Sequence, residues 1–211
     1  SGLAFIYKQG FFMRNLLAIS MGFALLLLMA CSNPDSTAAQ DDKATTDSSA
    51  TQPLYPFSQY LQHELEYIDS MPLAVEKIVR QEGRTTDSGI INKTSFKSAI
   101  AFFTSIDPNK TELRSQYTET SFNDLSTEAI TFSISSKNAT LPLQQADILL
   151  HPTTQKVKSV ALSIEQSFAD SSVSTKVLWK HHMKCQLAQT IQYKDGRSIN
   201  RITEYVWDKP F

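Results

Sequence analysis

Apolar positions recur at helical spacing through the first part of the folded region and at alternate positions afterwards. Phe57, Leu61, Leu65 and Ile68 form one stripe, which predicts a helix over Ser58–Asp69. Ser70 stands ready to cap a second helix, Pro72–Glu82, with Pro72 in its first turn and Leu73, Val75, Ile78 and Val79 along it. Gly83 suits its end. A polar turn over Arg84–Gly89 leads to a third helix that starts at Asn92 or Thr94. Phe96, Ile100 and Phe103 line one face of it, with Ala99 beside them, and Asp107-Pro108 stops it.

Beyond Pro108 the period drops to two. Leu113–Phe122 and Ala129–Ser135 read as strands, the latter with Ile130, Phe132 and Ile134 on one face. Ala146–Leu150 follows the Lys137-Asn138 turn. Lys156–Phe168 aligns Val160, Leu162, Ile164 and Phe168, and after a turn over Ala169–Ser172 the strand Val173–His181 points Val177 and Trp179 inward. Cys185–Tyr193 and Arg197–Trp207 flank Lys194-Asp195-Gly196, the strongest hairpin signal in the chain. Helices first and neighbouring strands afterwards predict an α+β fold, N-terminal helices packed on a twisted antiparallel β-meander sheet. Residues 54–211 have the length of one globular domain.

A different pattern precedes that domain. Arg14 follows Met13, and the fifteen residues Leu16–Ala30 carry no charge before Cys31. A bilayer-spanning helix needs about 20 residues, whereas a signal-peptide core is shorter. With Ala30 directly before the cysteine, residues 13–31 resemble the signal and lipobox of bacterial lipoproteins. The resemblance implies removal of residues 13–30 and lipidation of Cys31. It also implies attachment to the bacterial envelope, and Ser32 is compatible with an outer-membrane position facing the periplasm. Residues 1–12 are set aside as a mis-assigned start. Residues 31–53 hold no apolar side chain larger than alanine between Pro34 and Pro53 and read as a flexible tether. The mature domain has a general likeness to uncharacterised Bacteroidota envelope lipoproteins, which brings no activity with it.

Charge narrows the partners. The chain has 20 basic and 21 acidic side chains, without a basic stripe, so nucleic acid is not an expected partner. The lipid on Cys31 makes the membrane one expected partner, and an envelope protein is the second. Cys185 is then the one remaining thiol.

His181, His182 and Cys185 are the only dense cluster of metal-ligand types. A turn at residues 182–184 brings His182 and Cys185 together as zinc or copper candidates. A continuous strand instead leaves His181 and Cys185 about 13 Å apart. Without a second pair of ligands the expected cofactor is none, with a buried thiol and a solvated His182. His63-Glu64-Leu65-Glu66 lacks a second histidine at i+4, so no zincin motif is present. Glu64, Glu66 and Asp69 are expected on a solvated helix face. No catalytic residue is singled out, and the case for an enzyme has no positive support. Trp179, Tyr193, Tyr205 and Trp207 on the last strands are expected mainly in the core, or, if the sheet curves open, along a binding groove. The functional expectation is a binding module that docks on a membrane-associated partner. The alternative is a carrier of a small apolar ligand or lipid.

Overall fold

The computed structural model describes residues 52–72, 74–124 and 128–208; the signal, Cys31 and the tether up to its last two residues lie outside the described residues. Helix α1 (Phe57–Ser70) is followed by strands β1 (Val75–Gln81) and β2 (Arg84–Ile91), then helix α2 (Lys93–Ser105). After a 3-10 turn at Arg114–Gln116 come β3 (Tyr117–Asp124), β4 (Ala129–Ser136), β5 (Leu143–Leu150) and β6 (Val157–Ser167). The last three strands are β7 (Ser171–Lys180), β8 (Lys184–Tyr193) and β9 (Ser198–Val206). All nine lie in one antiparallel sheet of order β2-β1-β9-β8-β7-β6-β5-β4-β3. The α+β class is as expected.

The segment expected to be a second helix is strand β1, and the expected polar turn is strand β2. Val75, Ile78 and Val79 mimic a helical stripe, but β-branched side chains also suit a pleated surface. The turn decides between the two. Glu82 (φ 48) and Gly83 (φ 76) are both left-handed and close Gln81 directly onto Arg84, the conformation of a two-residue hairpin. β9 then supplies the other edge for β1. Ser70 therefore caps no helix; its hydroxyl donates to the Tyr67 carbonyl at 2.8 Å. The third expected helix is α2, with Asn92 accepting from the Ser95 amide at 2.8 Å as its cap. Phe168, expected inward, lies past the end of β6 and is 53% exposed.

One face of the sheet carries the core. Ile134, Ala146, Leu162, Val177 and Leu187 align across β4–β8, and Ile148, Val160, Trp179, Cys185 and Tyr205 form a neighbouring row. Phe57, Leu61, Leu65 and Ile68 of α1 and Phe96, Ile100 and Phe103 of α2 pack into the same cluster. Phe96 is its aromatic centre, with ring centroids 5.1 Å from Tyr205, 5.6 Å from Trp207 and 6.2 Å from Trp179. Lys97 bridges to Asp69 at 2.6 Å, and Lys93 donates to the Asp69 and Met71 carbonyls. These lysines satisfy the end of α1 and complement its dipole. The opposite sheet face is polar, with Ser133 on Asp147, Ser174 on Glu165, and Glu204 between Lys184 and Arg80.

Candidate functional site

Where α1 crosses the turn between β7 and β8, a carboxylate is buried. Glu64 follows Leu61 by three residues and precedes Ile68 by four, so it belongs to the apolar face of α1 rather than to a solvated one. It is only 2% exposed. This corrects the expectation for Glu64; Glu66 and Asp69 are exposed. Burying an unpaired carboxylate is costly, so its partners decide whether the position is tolerable. Oε2 accepts from Trp179 Nε1 and from the His182 backbone amide, each at 3.0 Å. Oε1 lies 2.8 Å from His181 Nδ1 and 3.4 Å from His182 Nε2. The Tyr60 hydroxyl lies 3.0 Å from His181 Nδ1, beside the carboxylate.

The turn itself is shaped around this carboxylate. Residues 181–183 connect the strands, one residue earlier than the spacing suggests. His182 sits at φ 55, a left-handed conformation uncommon outside glycine, asparagine, aspartate and histidine. Its ring lies between two others, 3.7 Å from Tyr67 at 8° and 3.7 Å from His181 at 27°. The stack covers the carboxylate while the His181 and His182 side chains stay 36% and 41% exposed.

Burial lowers the His182 pKa, opposed by the Glu64 charge, reinforced by His181, opposed again by Asp208 and reinforced by Lys156. The neutral imidazole is thereby favoured at neutral pH. Burial, with the Glu64 charge and hydrogen bond behind it, raises the Tyr60 pKa, keeping the phenol protonated. Chemically the site is a buried carboxyl group beneath two partly exposed imidazoles.

The histidine–cysteine cluster is thus divided. His181 and His182 converge on Glu64, whereas Cys185 is 1% exposed in the core row beside Trp179, and burial raises its thiol pKa. Trp179, Tyr205 and Trp207 are core residues. Tyr193 lies near the hairpin tip with the Arg197 guanidinium 4.7 Å from its ring centroid. His63 and His151 are exposed. Sequence reasoning missed Glu64, Tyr60 and Tyr67, although the place of Glu64 within the α1 stripe was a readable signal.

Further along the helix-bearing face, beyond the cover of α2, an open groove of about 460 Å³ is lined by Lys77, Gln81, Asp87, Phe103, Gln189 and Arg201 among others. Lys77 is held by Asp87 at 2.8 Å. The groove is polar, unlike the packed interior beside it. Among the described residues no helix is long and apolar enough to cross a membrane. Fold and site together define a nine-stranded antiparallel sheet with two helices and a carboxylate–histidine cluster. No protein-family model, curated protein or solved structure matches the chain.

Proposed function

We propose that the chain is a lipid-anchored envelope protein whose mature domain docks on a membrane-associated partner. In this reading Cys31 carries the lipid, residues 31–53 are the tether, and the domain faces the periplasm from the outer membrane. The helices ride on an antiparallel sheet in which β3–β9 run as a meander and the β1–β2 hairpin adds beside β9, and this sheet serves as a rigid platform. The observation that carries the reading is the filled interior. Phe57, Phe96, Ile100, Ile148, Val160 and Trp179 are each at most 1% exposed, so the space between helices and sheet is occupied by the protein's own side chains. A packed platform on a tether fits reaching and holding better than enclosing a guest. The alternative is carriage of a small ligand. The groove beside α2 favours it, although its lysine, arginine and aspartate suit a polar guest better than the apolar one anticipated.

Crosslinking in cells, followed by affinity purification and mass spectrometry of proteins and lipids, separates the two. A stoichiometric protein partner recovered from the membrane fraction, with less of it crosslinked to a Cys31→Ser chain, supports docking. A stoichiometric lipid or glycan without a protein partner supports carriage and overturns docking.

A further inference from the structure

We propose that Glu64, His181 and His182 form a binding site for one borderline transition-metal dication of the Zn²⁺ or Cu²⁺ class. The inference goes beyond docking and does not depend on it. One ligand atom from each residue falls within 4.8 Å of the others. Metal–nitrogen and metal–oxygen bonds of about 2.0–2.2 Å at tetrahedral angles place donor atoms roughly 3.3 Å apart. The separation of Glu64 Oε1 and His182 Nε2, 3.4 Å, already matches, and the 2.8 Å between Oε1 and His181 Nδ1 has to open by about half an ångström.

The rings determine how it opens. An imidazole binds a metal in its own plane, so two stacked rings cannot both aim at one ion. His182 is fixed between Tyr67 and His181, whereas His181 is the outer ring of the stack and turns on its own side-chain bonds, giving up its contact with the Tyr60 hydroxyl. The Nδ1 lone pair then replaces its hydrogen bond to Glu64, and the ring's proton resides on Nε2. The carboxylate does not have to move. Oε2 stays fastened to Trp179 Nε1 and the His182 amide, the kind of outer support that orients a metal ligand. Partial exposure of both rings gives an ion an entry path, and water completes the coordination. Two nitrogens and one oxygen select against Ca²⁺ and Mg²⁺, which prefer oxygen donors. Cys185 takes no part.

The test uses the full chain in detergent, carrying Cys31→Ser so that no unlipidated thiol competes for the ion. Metal-free protein is titrated with ZnCl₂ by calorimetry and thermal unfolding, and with CuCl₂ by electron paramagnetic resonance. The expected result is one equivalent bound, a raised melting temperature, and a copper spectrum split by two imidazole nitrogens. Glu64→Gln keeps an acceptor for Trp179, and His182→Asn tolerates the left-handed backbone. Each is expected to weaken binding at least about ten-fold with the native circular dichroism spectrum retained. His63→Ala and His151→Ala leave it unchanged. Absence of one-equivalent binding by the parent chain overturns the proposal. So does binding that survives both Glu64→Gln and His182→Asn, or that is lost with His63→Ala.

Discussion

Two glutamates, one on each side of the sheet, are each held by several donors, yet they do different work. Glu204 on the outer face is 14% exposed and lies between two cations, Lys184 at 2.5 Å and Arg80 at 3.5 Å. The Glu64 side chain on the inner face is 3% exposed, and its donors include an indole and a backbone amide. Near water, opposite charges gain little from meeting because solvent screens them. Under a helix, fixed neutral dipoles can hold a carboxylate only if every one is in place. The first arrangement decorates a surface. The second binds α1 to the β7–β8 turn.

The comparison breaks most directly at Glu64. Glu64→Ala leaves the Trp179 and His182 donors unpaired under α1 and should cost about 3–5 kcal/mol, read from urea unfolding. A cost near that of an exposed position would mean that water replaces the carboxylate and that the two glutamates are alike. Trp179→Phe retains an aromatic ring but removes one donor, with an expected loss of about 1–3 kcal/mol. A double-mutant cycle with Glu64→Gln should show coupling between the two positions.

Acidification sharpens the contrast. Because the folded-state pKa of His182 is lowered, the unfolded chain binds the proton more readily, and stability rises with pH across that window. Melting temperature should therefore fall as pH drops below about 6.5, where unfolded histidine protonates, with a shallower fall in His182→Asn. Glu204 works at lower pH. Hydrogen bonding to Lys184 leads the causes that lower its pKa, against burial, so its contribution is lost as pH falls through the lowered carboxylate range. Glu204→Gln should cost less than about 1 kcal/mol at neutral pH, and the loss should shrink in high salt.

How much of this was legible in the sequence differs along the chain. The strands from Ala129 onward alternate cleanly because one face meets the core and the other meets polar surroundings. Lys194-Asp195-Gly196 marked its hairpin, with Gly196 at φ 87. β1 and β2 were illegible for a physical reason. β2 is an edge strand with almost every residue exposed, so no alternation is imposed on it, and its polar Thr85, Thr86, Asp87 and Ser88 protect the edge while reading as a turn. Of the site, the two histidines were visible as neighbours, but Glu64 is 117 positions from His181. Only the fold brings them together, and the one local sign was a charge within an apolar stripe.

The pairing of β1 with β9 bears on how the chain reaches this structure. Arg80 and Glu204, joined across it, are 124 positions apart. The early hairpin finds its sheet neighbour only when the last strand has emerged. Such long-range closure slows folding and keeps an emerging chain open until β9 is made. A chain cut before Ser198 would strip neighbours from both β1 and β8 at once, so closure of this sheet reports on whether β9 has been made.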